Sequence, residues 1–362
     1  MSFHVFKGHS AIQVVERTPP DPRLASALES PEGYIASEGL VNAVNVALAI
    51  GRPLLLTGEP GTGKTQLAYR LAAELGLGKP LRFNTKSSSA ATELFYQFDT
   101  VAHFAASQLA ALKGGAEGAD EDVQARDYIR YTALGEAILR SHGLGKTAPY
   151  RPRPRSRDVL GADGVDPPEP VPVQPTAAVV LIDEIDKAPR DFPNDLLNQI
   201  ENLEFAIPEL GIERIRAERA FQPVIVITSN SEKQLPEAFL RRCVYHHIEF
   251  PGDEAERRKL IQRILDERLK GAGVLDGEGF EDALKIYFHL RDLTNVEKKP
   301  STSELLDWIQ GLLRRNVDWR QPASAQLDSF TACLSALAKH ESDEKTLGKY
   351  LELLSMPAGG PR

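Results

Sequence analysis

The chain has 362 residues, about the length of two domains if a domain takes roughly 150 residues. With 42% hydrophobic and 26% charged residues, its composition is that of a globular protein and excludes a disordered or fibrous chain. The formal net charge of −8 argues against attraction of the whole surface to nucleic acid or anionic lipid.

Five short apolar runs predict the strands of a parallel sheet, because they alternate with helical patterns such as residues 65–75 and 196–203. Their Val, Ile and Leu residues are nearly continuous, which is typical of strands buried on both faces. Residues 1–251 are therefore predicted to form one α/β domain. The predicted strands are residues 53–57 (PLLLT), 81–84 (LRFN), 178–182 (AVVLI), 224–228 (VIVIT) and 247–250 (HIEF).

The remaining residues, 252–362, are predicted to form a small all-α domain. Ser301 and Glu304 have the spacing of a capping box at the start of its third helix. The predicted helices cover residues 254–270, 280–290, 304–315, 324–340 and 344–355.

An insertion is predicted within the α/β domain at residues 141–176. Eight prolines lie between Pro149 and Pro175, and arginines alternate from Arg151 to Arg157. This composition favours an exposed, largely extended segment.

The motif GEPGTGKT follows the first predicted strand and precedes a helix, which is the context that a phosphate-binding loop requires. Its glycines let backbone N–H groups approach a pyrophosphate, and the helix N-terminus adds partial positive charge. Lys64 can reach the β- and γ-phosphates, and the Thr65 hydroxyl can coordinate Mg²⁺. A glycine-rich turn that precedes Lys and Thr by chance is the alternative, but strand, loop and helix agree on a phosphate site. The candidate nucleotide-binding residues are Gly58, Glu59, Pro60, Gly61, Thr62, Gly63, Lys64, Thr65 and Gln66.

The third predicted strand ends in two adjacent carboxylates, Asp183 and Glu184. Beside a phosphate loop, the first suits a Mg²⁺ ion and the second suits the orientation of an attacking water. An acidic turn after a buried strand is the alternative. This pair favours hydrolysis over transfer to a bound alcohol.

Two further polar features follow the fourth predicted strand. Asn230 comes directly after it and could hold the attacking water or contact the γ-phosphate, although Asn is also a common turn former. Arg241 and Arg242 precede the last strand and are either a surface charge pair or an arginine finger for a neighbouring subunit.

In this order, the motifs GEPGTGKT, VVLIDEID, ITSN and FLRR resemble an AAA+ ATPase module, closest to the MoxR-like branch, over about residues 36–313. The resemblance implies a five-stranded sheet ordered 5-1-4-3-2 with flanking helices, then a helical lid. It also implies a ring, usually a hexamer, with ATP held between subunits. By match of motifs, the Walker A pair is Lys64 and Thr65, the Walker B pair Asp183 and Glu184, sensor 1 Asn230, and the arginine finger Arg242 beside Arg241.

The lid departs from the family pattern, because Ser303 or Glu304 stands where an arginine is usual. Either Lys298 or Lys299 substitutes for it, or the lid senses nucleotide weakly. Residues 92–106 resemble the family's insert in the second helix, and residues 204–211 its hairpin before sensor 1. In related proteins these elements face the ring pore or a partner; the alternative is ordinary packing of Phe95, Tyr96 and Phe98 under a loop.

These features together predict an ATP- and Mg²⁺-dependent, chaperone-like ATPase that acts on a client protein. The MoxR-like resemblance makes a von Willebrand A-type protein one candidate client. A motor subunit of a nucleic-acid-directed restriction or defence complex, with the Arg151 to Arg157 loop on DNA, is an alternative, as is an ATP-binding regulatory switch. We expect a cytoplasmic protein, since no signal-like N-terminus or run of about 18 apolar residues is present.

Overall fold

The computed structural model describes residues 31–112, 124–152, 172–230, 235–269, 276–294 and 296–355. They form two compact units. The α/β unit comprises residues 36–58 and 64–248. The helical unit comprises residues 31–35, 59–63 and 249–355 of the described chain, so the tip of the phosphate loop is grouped with it.

The α/β unit contains six helices and nine strands among the described residues. Its helices are α1 Glu38–Ile50, α2 Lys64–Glu74, α3 Thr100–Leu112, α4 Ala133–Thr147, α5 Phe192–Asn202 and α6 Glu237–Leu240. Its strands are β1 Leu54–Gly58, β2 Leu81–Asn84, β3 Tyr96–Phe98, β4 Ile129–Tyr131, β5 Val179–Asp183, β6 Glu204–Ile207, β7 Ile212–Arg216, β8 Val224–Ser229 and β9 Val244–Ile248.

Five of these strands form one parallel sheet in the order β2-β5-β8-β1-β9. If these five strands are renumbered 1 to 5 in chain order and read from β9 to β2, their order is the predicted 5-1-4-3-2. Every residue of the central strands β1 and β5 is buried, as their continuous apolar sequences predict. The predicted α/β fold is therefore confirmed.

The last sheet strand begins earlier than predicted, at Val244 rather than His247. It pairs with β1 from Leu54↔Val244 to Gly58↔Ile248 and lies at the edge of the sheet. Its residues alternate between half-buried and exposed, so they lack the continuous apolar run by which the other strands were recognised.

Two small antiparallel sheets accompany the main sheet. β6 and β7 form the predicted hairpin, which turns through Pro208–Leu210 and Gly211, a glycine with φ of 66°. β3 and β4 form a second pair, which the sequence did not predict. Phe95, which directly precedes β3, is 1% exposed and stacks on Phe205 of the hairpin at 5.2 Å between ring centroids, so packing explains this aromatic residue.

The predicted exposed insertion at residues 141–176 needs correction. Helical structure continues to Thr147 with a kink at Gly143, whose φ is 74°, and Ser141 is completely buried. The Ser141 hydroxyl donates to the Ile138 carbonyl and accepts from the Glu218 N–H, which fixes this turn inside the unit. Residues 153–171 lie outside the described residues.

The described part of the helical unit contains six helices around the completely buried Trp308. The predicted capping box of Ser301 and Glu304 is present. The single helix predicted for residues 324–340 is wrong: the segment breaks into short helices, which bury Phe330 and Leu334 in the core, so tertiary packing overrides the helical pattern. The helices are α7 Glu254–Arg268, α8 Glu278–Asp292, α9 Thr302–Arg314, α10 Leu327–Thr331, α11 Leu334–Leu337 and α12 Glu341–Ser355.

In the described ranges, no helix has both the length and the apolar character needed to cross a membrane.

Candidate functional site

The predicted phosphate loop joins the carboxyl end of β1 to the first residue of α2. Three of its glycines have positive φ: Gly58 at 146°, Gly61 at 76° and Gly63 at 87°. These values favour glycine because a Cβ would be strained there. Lys64, at the start of α2, is 7% exposed, and its ammonium group donates to the Gly58 carbonyl at 2.8 Å. The loop therefore curls back on its own lysine.

Asp183 is the last residue of β5, and its carboxylate is held by three donors. Oδ1 accepts hydrogen bonds from the hydroxyls of Thr65, at 3.0 Å, and Thr228, at 2.6 Å. Oδ2 accepts from the Arg82 guanidinium at 2.7 Å, and the Asp183 side chain is only 5% exposed. The structure thus brings together the predicted metal residues Thr65 and Asp183.

Glu184 follows with a left-handed backbone, φ 57° and ψ 50°, which is unfavourable for a residue with a side chain. Its N–H donates to the Thr228 hydroxyl at 2.9 Å, which helps to hold this conformation. Its carboxylate accepts from the Lys187 ammonium at 2.6 Å and is 41% exposed. The hydrogen bond to Glu184 raises the pKa of Lys187.

Asn230 comes directly after β8, the strand that pairs with β5 in the sheet. Its backbone N–H donates to Asp186 Oδ1 at 3.0 Å, and the hydroxyl of Ser229 donates to the same oxygen at 3.2 Å. Asn230 is exposed. Asn230 therefore lies at the carboxyl ends of the strands, as the two acidic residues do.

Arg241 and Arg242 lie at the opposite end of the sheet, where the parallel strands begin. They precede Val244, whose N–H donates to the Pro53 carbonyl at the amino end of β1. Arg242 pairs with Glu201 at 3.1 Å, and Arg241 pairs with Glu237 at 2.5 Å. The structure does not bring these arginines to the phosphate loop of their own chain.

Within the helical unit, Arg291 of α8 contacts the tip of the phosphate loop. Its buried guanidinium donates to Glu59 Oε2 at 2.8 Å and to the Pro300 carbonyl at 2.6 Å, and it lies 4.0 Å from the centre of the Phe250 ring. A Cβ on Gly61 would come within 2.4 Å of the Ser301 side chain. The loop tip is therefore closely packed in this unit.

Lys298 and Lys299 are the two candidate substitutes for the missing lid arginine, and the structure gives the contacts of the first. The Lys298 ammonium group pairs with Glu304 at 2.8 Å. Burial acts to raise the pKa of Glu304, but this contact together with the Ser301 hydrogen bonds outweighs burial and lowers the pKa. Glu304 serves the capping box of α9. The structure thus uses Lys298 and Glu304 to fix the start of a helix.

Four residues of this region were not predicted from the sequence: Arg82, Thr228, Lys187 and Arg291. Thr228 and Lys187 had a usable signal, since one ends a predicted strand beside Asn230 and the other lies three residues after Glu184. Arg82 and Arg291 had none, because their partners lie 101 and 232 positions away in the chain.

The donor set fits a magnesium–nucleotide complex. Mg²⁺ prefers oxygen ligands and usually takes several of them from phosphates and water. Thr65 and Asp183 supply a hydroxyl and a carboxylate beside the loop. In the part of the chain that the structure describes, no group of three or more His, Cys, Asp or Glu side chains could hold a metal alone, so phosphates and water would have to complete the coordination.

A glycine-rich loop after one parallel strand, beside a second strand of the same sheet that ends in acids, defines the class of P-loop nucleotide-binding proteins. The family model of the AAA domain, dynein-related subfamily, matches residues 53–243, which is more than half of the chain, and the chain belongs to this family. It is therefore an ATPase of the AAA+ class. No curated protein matches the chain.

Proposed function

We propose that the chain is a MoxR-like ring ATPase that hydrolyses ATP to remodel or activate a partner protein. The observation that carries this proposal is the hydrogen bond between the Thr65 hydroxyl and the Asp183 carboxylate at 3.0 Å. It joins the end of the phosphate loop to the acidic end of β5, which is separated from β1 by β8 in the sheet, and hydrolysis of a bound triphosphate requires these two groups together.

In this proposal each residue has a defined task. The backbone of residues 58–65 and the Lys64 ammonium hold the phosphates. Thr65 and Asp183 hold Mg²⁺, which when bound offsets charge on the phosphate oxygens. Glu184 accepts a proton from the attacking water, and Asn230 orients that water or the γ-phosphate.

The position of Arg242 supports a ring. β1 has five residues, so at about 3.3 Å per residue the strand separates Arg242 from the phosphate loop by roughly 17 Å. An arginine side chain cannot cover that distance within its own chain. As an arginine finger, Arg242 would have to act in the site of a neighbouring subunit.

The ion pair between Arg242 and Glu201 is weak enough for Arg242 to act as an arginine finger. Arg242 is 42% exposed and Glu201 is 59% exposed, and such surface pairs contribute only about 0–1 kcal/mol. An arginine finger contributes about 10³-fold or more to the rate, equivalent to roughly 4 kcal/mol. The gain in a neighbour's site therefore exceeds the loss of the pair with Glu201.

We expect Arg242→Ala to lower ATP turnover about ten- to a hundredfold, a partial loss because Arg241 is adjacent. Mixing it with Glu184→Gln should restore turnover, because a site that keeps Glu184 then meets a neighbour that keeps Arg242. Steady-state phosphate release from the separate and mixed proteins measures this. Arg70→Ala, which removes an exposed arginine paired with Glu74, is the control and should leave turnover unchanged. Failure of the mixture to recover would exclude action between subunits.

An exposed apolar face on α3 supports a protein client. The helix Thr100–Leu112 has no charged residue, although 26% of the chain is charged. Four large apolar side chains on it are exposed: Val101 by 80%, Phe104 by 62%, Leu109 by 59% and Leu112 by 80%. Clustered exposed apolar side chains of this kind mark protein-binding surfaces.

The client proposal predicts that Phe104→Glu weakens partner binding and leaves ATP turnover unchanged, because α3 makes no contact with Lys64, Asp183 or Glu184 among the contacts described above. We expect Glu184→Gln with Mg²⁺ and ATP to retain a client in affinity capture, and the added Phe104→Glu to reduce its yield at least fivefold. Val46→Glu, at an exposed apolar position of α1, is the matched control. Equal yields with both substitutions would exclude α3 as the client surface.

The proposed function as a whole is tested by ATP turnover and by particle mass with and without ATP. Turnover together with a ring-sized particle is the expected result. Assembly without turnover would favour the regulatory switch. Strong stimulation by DNA that falls steeply with salt would favour the nucleic-acid-directed motor.

A further inference from the structure

The Asp183 carboxylate is buried with a positive partner that the nucleotide motifs do not include. Two of its three donors, Thr65 and Thr228, are neutral hydroxyls. The third, Arg82, carries a full charge and contacts Oδ2 at 2.7 Å. Both oxygens of the carboxylate are thus engaged, but only one of these contacts supplies opposite charge.

Burial makes that charge necessary. Asp183 is 5% exposed, and a carboxylate withdrawn from water is costly unless an opposite charge compensates it. Hydroxyl groups satisfy hydrogen bonds without neutralising charge. Arg82 is therefore the cation that directly contacts Asp183 and compensates its charge.

The Arg82 side chain is also placed so that it can move away from Asp183. Arg82 lies on β2, which is the edge strand of the main sheet, and its side chain is 37% exposed. A guanidinium group at such a site can turn toward water at little cost, since its long side chain already borders solvent.

We propose that Arg82 stands in for the metal at Asp183 and gives way when Mg²⁺ arrives with the nucleotide. This rests on the proposed function, because it requires Mg²⁺ at Asp183. A divalent ion beside the same carboxylate repels the guanidinium, so the two cations compete. Arg82 is thus a positioning residue that keeps the carboxylate charged and oriented until the metal replaces it.

If Arg82 and Mg²⁺ compete for Asp183, substitution of Arg82 should lower the stability of the metal-free protein more than the stability of the protein with Mg²⁺ and ADP bound. We expect Arg82→Met to lower the melting temperature by several degrees in EDTA without nucleotide. In Mg²⁺ and ADP the deficit should shrink by at least half. The Mg²⁺ concentration that gives half-maximal binding of a fluorescent ADP should fall at least threefold, because the competing cation is gone.

Two further variants separate this role from a merely structural one. Arg82→Lys keeps a positive charge at the position and should restore most of the stability in EDTA. Arg70→Met removes an exposed arginine–carboxylate pair away from Asp183. It should show no loss of melting temperature in EDTA and no change in the Mg²⁺ requirement.

The outcomes are distinct. An equal loss of melting temperature in both conditions, or a higher Mg²⁺ requirement in Arg82→Met, would overturn the proposal while leaving the proposed function intact. If the unmodified protein binds no Mg²⁺–ADP, the proposed function fails, and the role of Arg82 fails with it.

Discussion

Lys64→Ala is expected to abolish nucleotide binding and therefore ATP turnover. The Lys64 ammonium is buried at the start of α2 and already donates to the Gly58 carbonyl, so the loop holds it at the position of the phosphates. Removal of one partner from a buried, charged hydrogen bond typically costs about 2–5 kcal/mol. A loss of about 4 kcal/mol corresponds to nearly a thousandfold in Kd.

Titration of fluorescent ATP in Mg²⁺ measures this affinity, and a melting curve without nucleotide shows that the variant is folded. Lys79→Ala is the matched control, since Lys79 is exposed and lies outside the loop. It should bind ATP as the unmodified protein does. If Lys64→Ala binds ATP within threefold of the unmodified protein, the loop does not hold the triphosphate.

The sequence predicts the parts of this fold whose causes are local. The central strands β1, β5 and β8 are recognisable because a strand buried on both faces must be apolar at nearly every position. The phosphate loop is recognisable because its conformation requires glycines at fixed positions, and Gly61 and Gly63 do have positive φ. The order of the strands came from the family resemblance.

The parts that the sequence did not predict depend on pairs that are distant in the chain. The pair of β3 and β4 joins Tyr96 to Tyr131 across an intervening helix, and each strand has only three residues, too few for a periodic pattern. The Arg82 contact with Asp183 depends on the adjacent positions of β2 and β5 in the sheet. Such contacts follow from the register of the folded sheet and have no local signature.

The conformation of Glu184 shows the same limit at the site. Its type and position are evident from the sequence, but its left-handed backbone and its pairing with Lys187 are not. The strained backbone is held by the Thr228 hydroxyl, a group from the neighbouring strand. Because strain of this kind persists only where surrounding contacts impose it, its presence here accords with a functional position.

Glu184→Gln is expected to lower ATP turnover about a thousandfold while ATP binding stays within a few-fold of the unmodified protein. The amide keeps the size of the side chain but cannot accept the proton of the attacking water, and general-base catalysis contributes about 10²–10⁴ to the rate. Binding depends on the loop, Lys64 and the metal residues, which the substitution leaves in place. The pair with Lys187 is lost, but it is exposed and contributes little to folding.

Single-turnover phosphate release and the ATP titration together separate the two effects. Glu74→Gln is the matched control, because Glu74 is another exposed glutamate of the α/β unit paired with a basic side chain at 2.6 Å. It should leave both quantities unchanged. Rapid hydrolysis by Glu184→Gln would show that another group activates the water. Asp186, whose carboxylate accepts from the Asn230 N–H at 3.0 Å, would then be the next residue to substitute, since it is a further acid beside Asn230 at the carboxyl ends of the strands.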